Sequence, residues 1–248
     1  MPTGKEDPKN IVQRDRVFYG RRRGRRLRAG METLLEERLP ELIVTLPAEP
    51  GAVLDPASLF PDSIKEIWLE IGFGGGEHLA AQAAARPDVG FIGSEPFMNG
   101  VASLIRHCED RELSNVRIYP DDVRDLLPLL PDASLARIAV LFADPWPKKR
   151  HHSRRIIQHE SIAEFHRLIA PGGELRLATD DMGYLRWMLA RATAHRGFRW
   201  KAQGPSDWRV RPEDWPETRY EAKARDQGRR PAFLRFERLE TFDPETFD

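Results

Sequence analysis

Short apolar runs at residues 67–71, 89–92, 116–119, 138–142 and 174–178, each bounded by glycine, proline or acidic residues, constrain this chain more than any other feature. Runs of this length read as strands buried on both faces, since a half-exposed strand would alternate apolar and polar residues. Between them lie segments such as 77–85, 101–109 and 159–169, long enough for the helix that a crossover between parallel strands requires. The repeated order predicts an α/β fold, a mostly parallel sheet with helices on both faces. Ligands of such sheets bind beyond the carboxyl ends of the strands. A further helix is expected over 184–194 and a final strand over 232–239, after a segment, 204–216, rich in tryptophan, proline and charge.

The first thirty residues are arginine-dense and short of periodic apolar positions, so 1–30 reads as a flexible arm and 31–248 as one domain. Charge balances overall, with 39 basic and 39 acidic residues, but its distribution does not. Eight arginines fall between Arg14 and Arg28, and Lys148, Lys149, Arg150, Arg154 and Arg155 form a second block. Two basic patches of this kind suit a nucleic acid. The single cysteine, Cys108, excludes an internal disulfide framework and a cysteine-rich zinc site, and suits the cytoplasm. No run approaches the ~18 to 20 apolar residues needed to cross a bilayer, and the polar start lacks a secretory signal. No membrane partner is expected, and both a monomer and a homodimer fit.

The first apolar run leads into Glu70-Ile71-Gly72-Phe73-Gly74-Gly75-Gly76-Glu77, a turn in which glycine lets the backbone bend tightly and approach a ligand. A dinucleotide-binding turn would need its third glycine at the position of Glu77. The pattern present, Gly72-x-Gly74-x-Gly76, favours S-adenosylmethionine over a nicotinamide dinucleotide. Glu70 agrees, because a carboxylate repels a pyrophosphate and attracts the cationic amino group of a methionine. The second run ends at Glu95, placed to accept ribose hydroxyls, and the third at Asp122, placed to accept from an adenine amino group.

The fourth run leads into Asp144-Pro145-Trp146-Pro147-Lys148-Lys149-Arg150-His151-His152-Ser153-Arg154-Arg155. An acid followed by a proline-stiffened turn with an aromatic ring suits a pocket for a planar base, and the cations after it suit phosphates. This segment resembles the Asp-Pro-Trp-x-Lys-x-Arg-His-x-x-Arg-Arg signature of the bacterial tRNA (guanine-N7)-methyltransferases. Further matches follow in order over most of the chain, from the arginine-rich start through the glycine turn to Leu175-Arg176-Leu177-Ala178-Thr179-Asp180 and Thr218-Arg219-Tyr220-Glu221.

The resemblance implies a Rossmann-like class I methyltransferase with a seven-stranded sheet, using S-adenosylmethionine and acting on tRNA. It implies cofactor contacts at Glu70, Glu95, Asp122 and Asp144, beside the turn glycines Gly72, Gly74 and Gly76, with Asp144 as the active-site residue. It implies substrate contacts at Lys148, Asp180, Thr218, Arg219, Tyr220 and Glu221. Two departures stand out: Ser94-Glu95-Pro96 replaces aliphatic neighbours of the glutamate, and Arg219-Tyr220 stands where Lys-Phe is common. No metal is expected, because adjacent His151 and His152 do not share a helix face and have no acid or cysteine at ligand spacing. Two other readings remain open, an RNA-binding module with an inactive methyltransferase fold and a methyltransferase for another RNA or a protein.

Overall fold

Seven strands form one sheet in the computed structural model, which describes residues 20–240, in the order β3-β2-β1-β4-β5-β7-β6. These are β1 (Glu66–Ile71), β2 (Val89–Ser94), β3 (Val116–Tyr119), β4 (Leu135–Leu141), β5 (Ile169–Thr179), β6 (Phe198–Trp200) and β7 (Ala232–Arg238). The first five pair in parallel, and β7 runs antiparallel to both β5 and β6. All five expected inner strands are present, and β6 is one that the apolar pattern did not indicate. The helices are α1 (Ala29–Leu42), α2 (Glu77–Ala85), α3 (Met98–Asp110), α4 (Val123–Leu126), α5 (His159–Leu168), α6 (Met182–Ala194), α7 (Ser206–Arg209) and α8 (Arg219–Asp226).

Alternation along the strands divides the core into two layers. Ile67, Leu69 and Ile71 of β1 join Ile138, Val140, Leu175 and Leu177 against Phe165 of α5 and Tyr184 and Met188 of α6. Trp68, Phe91 and Ile118 point the other way, into a layer with Leu79 of α2 and Val101, Leu104 and Ile105 of α3. Successive strand residues point to opposite faces, so this split follows from the period of two. On that second face Trp215, wholly buried, covers the far half of the sheet against Phe233, Ala139 and Ala178. Trp215 is therefore a packing residue.

Of the expected arm, residues 1–19 lie outside the described residues. Residues 20–28 precede α1 and run along the start of α3: Met98 donates its N–H to the Arg22 carbonyl at 3.0 Å, and the Asn99 side chain accepts from Gly24 N and donates to the Arg25 carbonyl, each at 2.8 Å. Among the described residues no helix is long and apolar enough to cross a membrane.

Candidate active site

The carboxyl ends of β1, β2, β3 and β4 open onto one cleft of about 460 Å³, within the range of small-ligand sites. Gly72 and Gly74 form its floor. Their φ angles of 72° and 58°, with 81° at Gly76, lie in the left-handed region that side chains disfavour. Gly76 caps α2, whose first turn carries Glu77. Helix α3 approaches so closely that a Cβ on Gly100 would stand 2.1 Å from the Gly74 carbonyl oxygen. The turn is therefore fixed by the neighbouring helix as well as by its own sequence.

Glu95 follows β2 and lines the cleft. One carboxylate oxygen accepts from Gly74 N at 2.9 Å and the other from Phe97 N at 3.0 Å, so the residue braces the glycine turn and the start of α3 together. Burial raises its pKa against the lowering effect of those two backbone donors, and the nearby Asp144 charge adds to the rise. Asp122, also on the cleft wall, caps α4 by accepting from Arg124 N at 3.1 Å and holds the Arg124 guanidinium at 2.6 Å. Its carboxylate is thus already engaged on one side by its own helix.

The fourth wall is the turn after β4. Phe142 N donates to the Ala178 carbonyl at 2.8 Å, and the chain then turns with φ of 53° at Phe142 and 42° at Trp146. Asp144, exposed, and Trp146 both line the cleft. The Arg154 guanidinium lies 5.0 Å from the Trp146 ring centre, and His151 meets the ring edge-on at 5.9 Å. Desolvation and the cations Arg154, Arg150 and Lys148 hold His151 below its ordinary pKa. Lys148 is exposed just before this basic turn.

The remaining expected residues divide. Tyr220, on α8, lines the cleft and lies over the glycine turn, near enough that a Cβ on Gly74 would stand 2.9 Å from its ring. Arg219 beside it reaches Glu77 of α2 at 3.7 Å. Thr218 caps α8, accepting from Glu221 N at 3.0 Å, and the buried Glu221 accepts from Arg211 at 3.1 Å. Asp180 pairs with Arg229 at 2.6 Å. Thr218 and Glu221 thus shape the element that brings Tyr220 to the cleft. Glu70 is not on the cleft wall; its buried carboxylate meets His78 Nδ1 of α2 at 2.7 Å.

Sequence reasoning missed Gly20 and Arg21, which line the cleft from the N-terminal side, and Arg124. Arg22 beside them pairs with Asp121 at 2.8 Å. The dense arginine pattern was visible, but it gave no sign of this docking. Among the described residues no group of histidine, cysteine and acidic side chains could hold a metal.

The sheet order, the glycine turn after its first strand and the acids at the ends of the next two agree with the Rossmann-like class I methyltransferase fold that the sequence led us to expect. The family model described as "Putative methyltransferase" matches residues 65–234. A "tRNA (guanine-N(7)-)-methyltransferase" of Rhodospirillum rubrum is 56% identical over 225 residues, covering 90% of this chain and 88% of that protein. Proteins of the same name from a Chelativorans species and from Paramagnetospirillum magneticum are 48% and 49% identical, covering 90% and 89% of this chain and 95% and 92% of theirs. The chain belongs to the tRNA (guanine-N(7)-)-methyltransferase family.

Proposed function

We propose that this protein transfers a methyl group from S-adenosylmethionine to N7 of a guanine in the variable region of tRNA. The observation that carries the reading is that the glycine turn and the Asp144-Pro145-Trp146 turn, far apart in sequence, line one cleft. The residues fit the cofactor by their chemistry. Gly72 and Gly74 offer backbone where a side chain would fill the space, and Glu95, Asp122 and Asp144 offer carboxylate acceptors to an ammonium, to hydroxyls and to an amino group. Glu70, held by His78, supports the turn from behind and has no direct contact in this reading.

The bound cofactor supplies an electrophilic methyl group on a sulfonium centre. Guanine N7 carries a lone pair and no proton, so the protein needs no base to expose the nucleophile. The work left to the chain is orientation and exclusion of water. Asp144 accepts hydrogen bonds from guanine donors or from the cofactor amine, and Trp146 offers an aromatic face to the base. Lys148 neutralises a phosphate beside the target, with Arg150 and Arg154 extending the same basic surface. Tyr220 closes the cleft over the glycine turn, and Arg219 adds a cation at its rim. Asp180, paired to Arg229, is a further acceptor that a substrate group can engage by exchange. In this reading residues 1–30 are an arm that follows the tRNA backbone, and 31–248 form the methyltransferase domain.

Incubation of the purified protein with labelled S-adenosylmethionine and unmodified bulk tRNA tests the proposal. The expected product is 7-methylguanosine, identified by mass spectrometry and by base-labile strand cleavage, and absent with Asp144→Ala. Cofactor binding without methylation of any tRNA base would overturn the substrate assignment.

A further inference from the structure

Two arginines stand side by side at the end of the basic block, and they have different environments. Arg154 lies half-buried beside the cleft, whereas Arg155 is 5% exposed. Among the described residues Arg155 has no carboxylate at ion-pair distance. Its Nε donates to the Pro145 carbonyl at 2.7 Å, and its terminal nitrogen reaches the Trp146 carbonyl at 3.4 Å. The guanidinium carbon lies over two rings of α6, 4.5 Å from the centre of Trp187 and 5.1 Å from that of Tyr184. Burial lowers its pKa from the usual arginine value, with partial opposition from Tyr184 and Asp181.

The two carbonyls belong to the residues directly after Asp144, in a turn with positive φ at Phe142 and Trp146. Neither residue is a glycine, so the turn keeps its shape only where surrounding contacts impose it. Arg155 supplies such contacts at the carboxyl half of the turn. It also joins the turn to α6, whose first turn is fixed by the Asp181 carboxylate accepting from Tyr184 N at 2.7 Å. A planar fork satisfies two acceptors in one geometry, which a lysine ammonium on a flexible stem does not reproduce.

We infer that Arg155 is a positioning residue for methyl transfer, fixing the turn that presents Asp144 and Trp146 without itself touching cofactor or base. The inference rests on the proposed reaction, because it assigns a task within that site. A displacement on the order of 1 Å in a reacting geometry can cost about a hundredfold in rate, so loss of the fork acts on turnover more than on binding.

The test compares Arg155→Lys, Arg155→Gln and Trp187→Leu with the wild type in the tRNA methylation assay. Turnover is expressed per cofactor-binding site, so that any unfolded fraction is discounted, and melting temperature is followed alongside. For both Arg155 variants kcat is expected to fall roughly tenfold to a hundredfold, with KM for tRNA and for S-adenosylmethionine within about threefold of wild type. Trp187→Leu, which removes a ring but leaves the fork, is expected to lower the melting temperature while keeping kcat within about threefold. An active wild type with an equally active Arg155→Lys would overturn the inference and leave the proposed function standing. Equal losses in all three variants, tracking melting temperature, would also overturn it and make Arg155 a packing residue. A wild type that methylates no tRNA base would remove the proposed function, and this inference with it.

Discussion

The Glu70 carboxylate meets Nδ1 of His78 at 2.7 Å, joining the end of β1 to the first turn of α2 in a setting where the two residues are 7% and 5% exposed. A buried pair of this kind is costly to break from one side, because the remaining partner keeps its desolvation penalty. Glu70→Ala is therefore expected to destabilise the fold by about 1–3 kcal/mol in urea unfolding. Weakened cofactor binding would follow from the loosened turn. Unchanged stability with a sharp loss of S-adenosylmethionine affinity would instead place Glu70 in direct contact with the cofactor.

Glu95 is expected to give cofactor binding a distinct acid limb. Burial raises its carboxyl above the ordinary value of 4.5, so the proton returns at a higher pH than for an exposed glutamate. The ionised form is the better acceptor, and affinity should decline as pH falls through that raised value. Glu95→Gln should bind S-adenosylmethionine about tenfold more weakly, roughly 1.4 kcal/mol, and should flatten the decline. Calorimetric titration between pH 4.5 and 8 would check both, and a variant retaining the wild-type slope would assign the limb to another group.

The segment before α1 contributes Gly20 and Arg21 to the cleft wall and is tied to the domain through Asn99 and Asp121. Removal of residues 1–30 should raise the tRNA KM, with a smaller loss of affinity on adding salt because fewer phosphates are neutralised. It should also weaken S-adenosylmethionine binding in the absence of RNA, since part of the wall is gone. Cofactor affinity equal to that of the full chain would limit the segment to RNA contacts.

His166 and His195 lie with ring centres 4.5 Å apart, outside the lining of the cleft and beside Phe198. Burial, then the neighbouring His195 and Arg238, lower His166 from 6.5 to about 4. The unfolded chain therefore takes up a proton between these values that the native chain refuses. Stability is fully present above the unfolded value and is lost as pH falls toward 4, with no further loss from this group below it. His166→Leu should lose less melting temperature than wild type between pH 7 and 4.5. Parallel curves would show that acid sensitivity arises elsewhere.

The inner sheet was legible because parallel strands buried on both faces leave continuous apolar runs, and the glycine turn because positive φ at Gly72, Gly74 and Gly76 narrows the residues tolerated there. Strand β6 was not. Its three residues carry too little pattern, and its place in the sheet depends on pairing with β7. The cleft acids Glu95, Asp122 and Asp144 could be read from their positions at strand ends. The different settings of Arg154 and Arg155 could not, since two adjacent arginines look alike until α6 packs over one of them. The same holds for Glu70, which alone suggested a cofactor contact and met its partner only when α2 folded back onto β1.

The placement of β7 between β5 and β6 has a consequence for the order in which the chain assembles. β6 precedes β7 in the sequence yet reaches the sheet only through it, so this edge cannot grow in the order of synthesis. While the segment between Thr179 and Ala232 emerges, β5 presents an unsatisfied row of amide and carbonyl groups, a template for pairing with another nascent chain. Closure by β7 removes that hazard, and the intervening segment carries Trp215, which packs on one face of the same half of the sheet. Protection of the β5 edge thus waits on one late antiparallel strand.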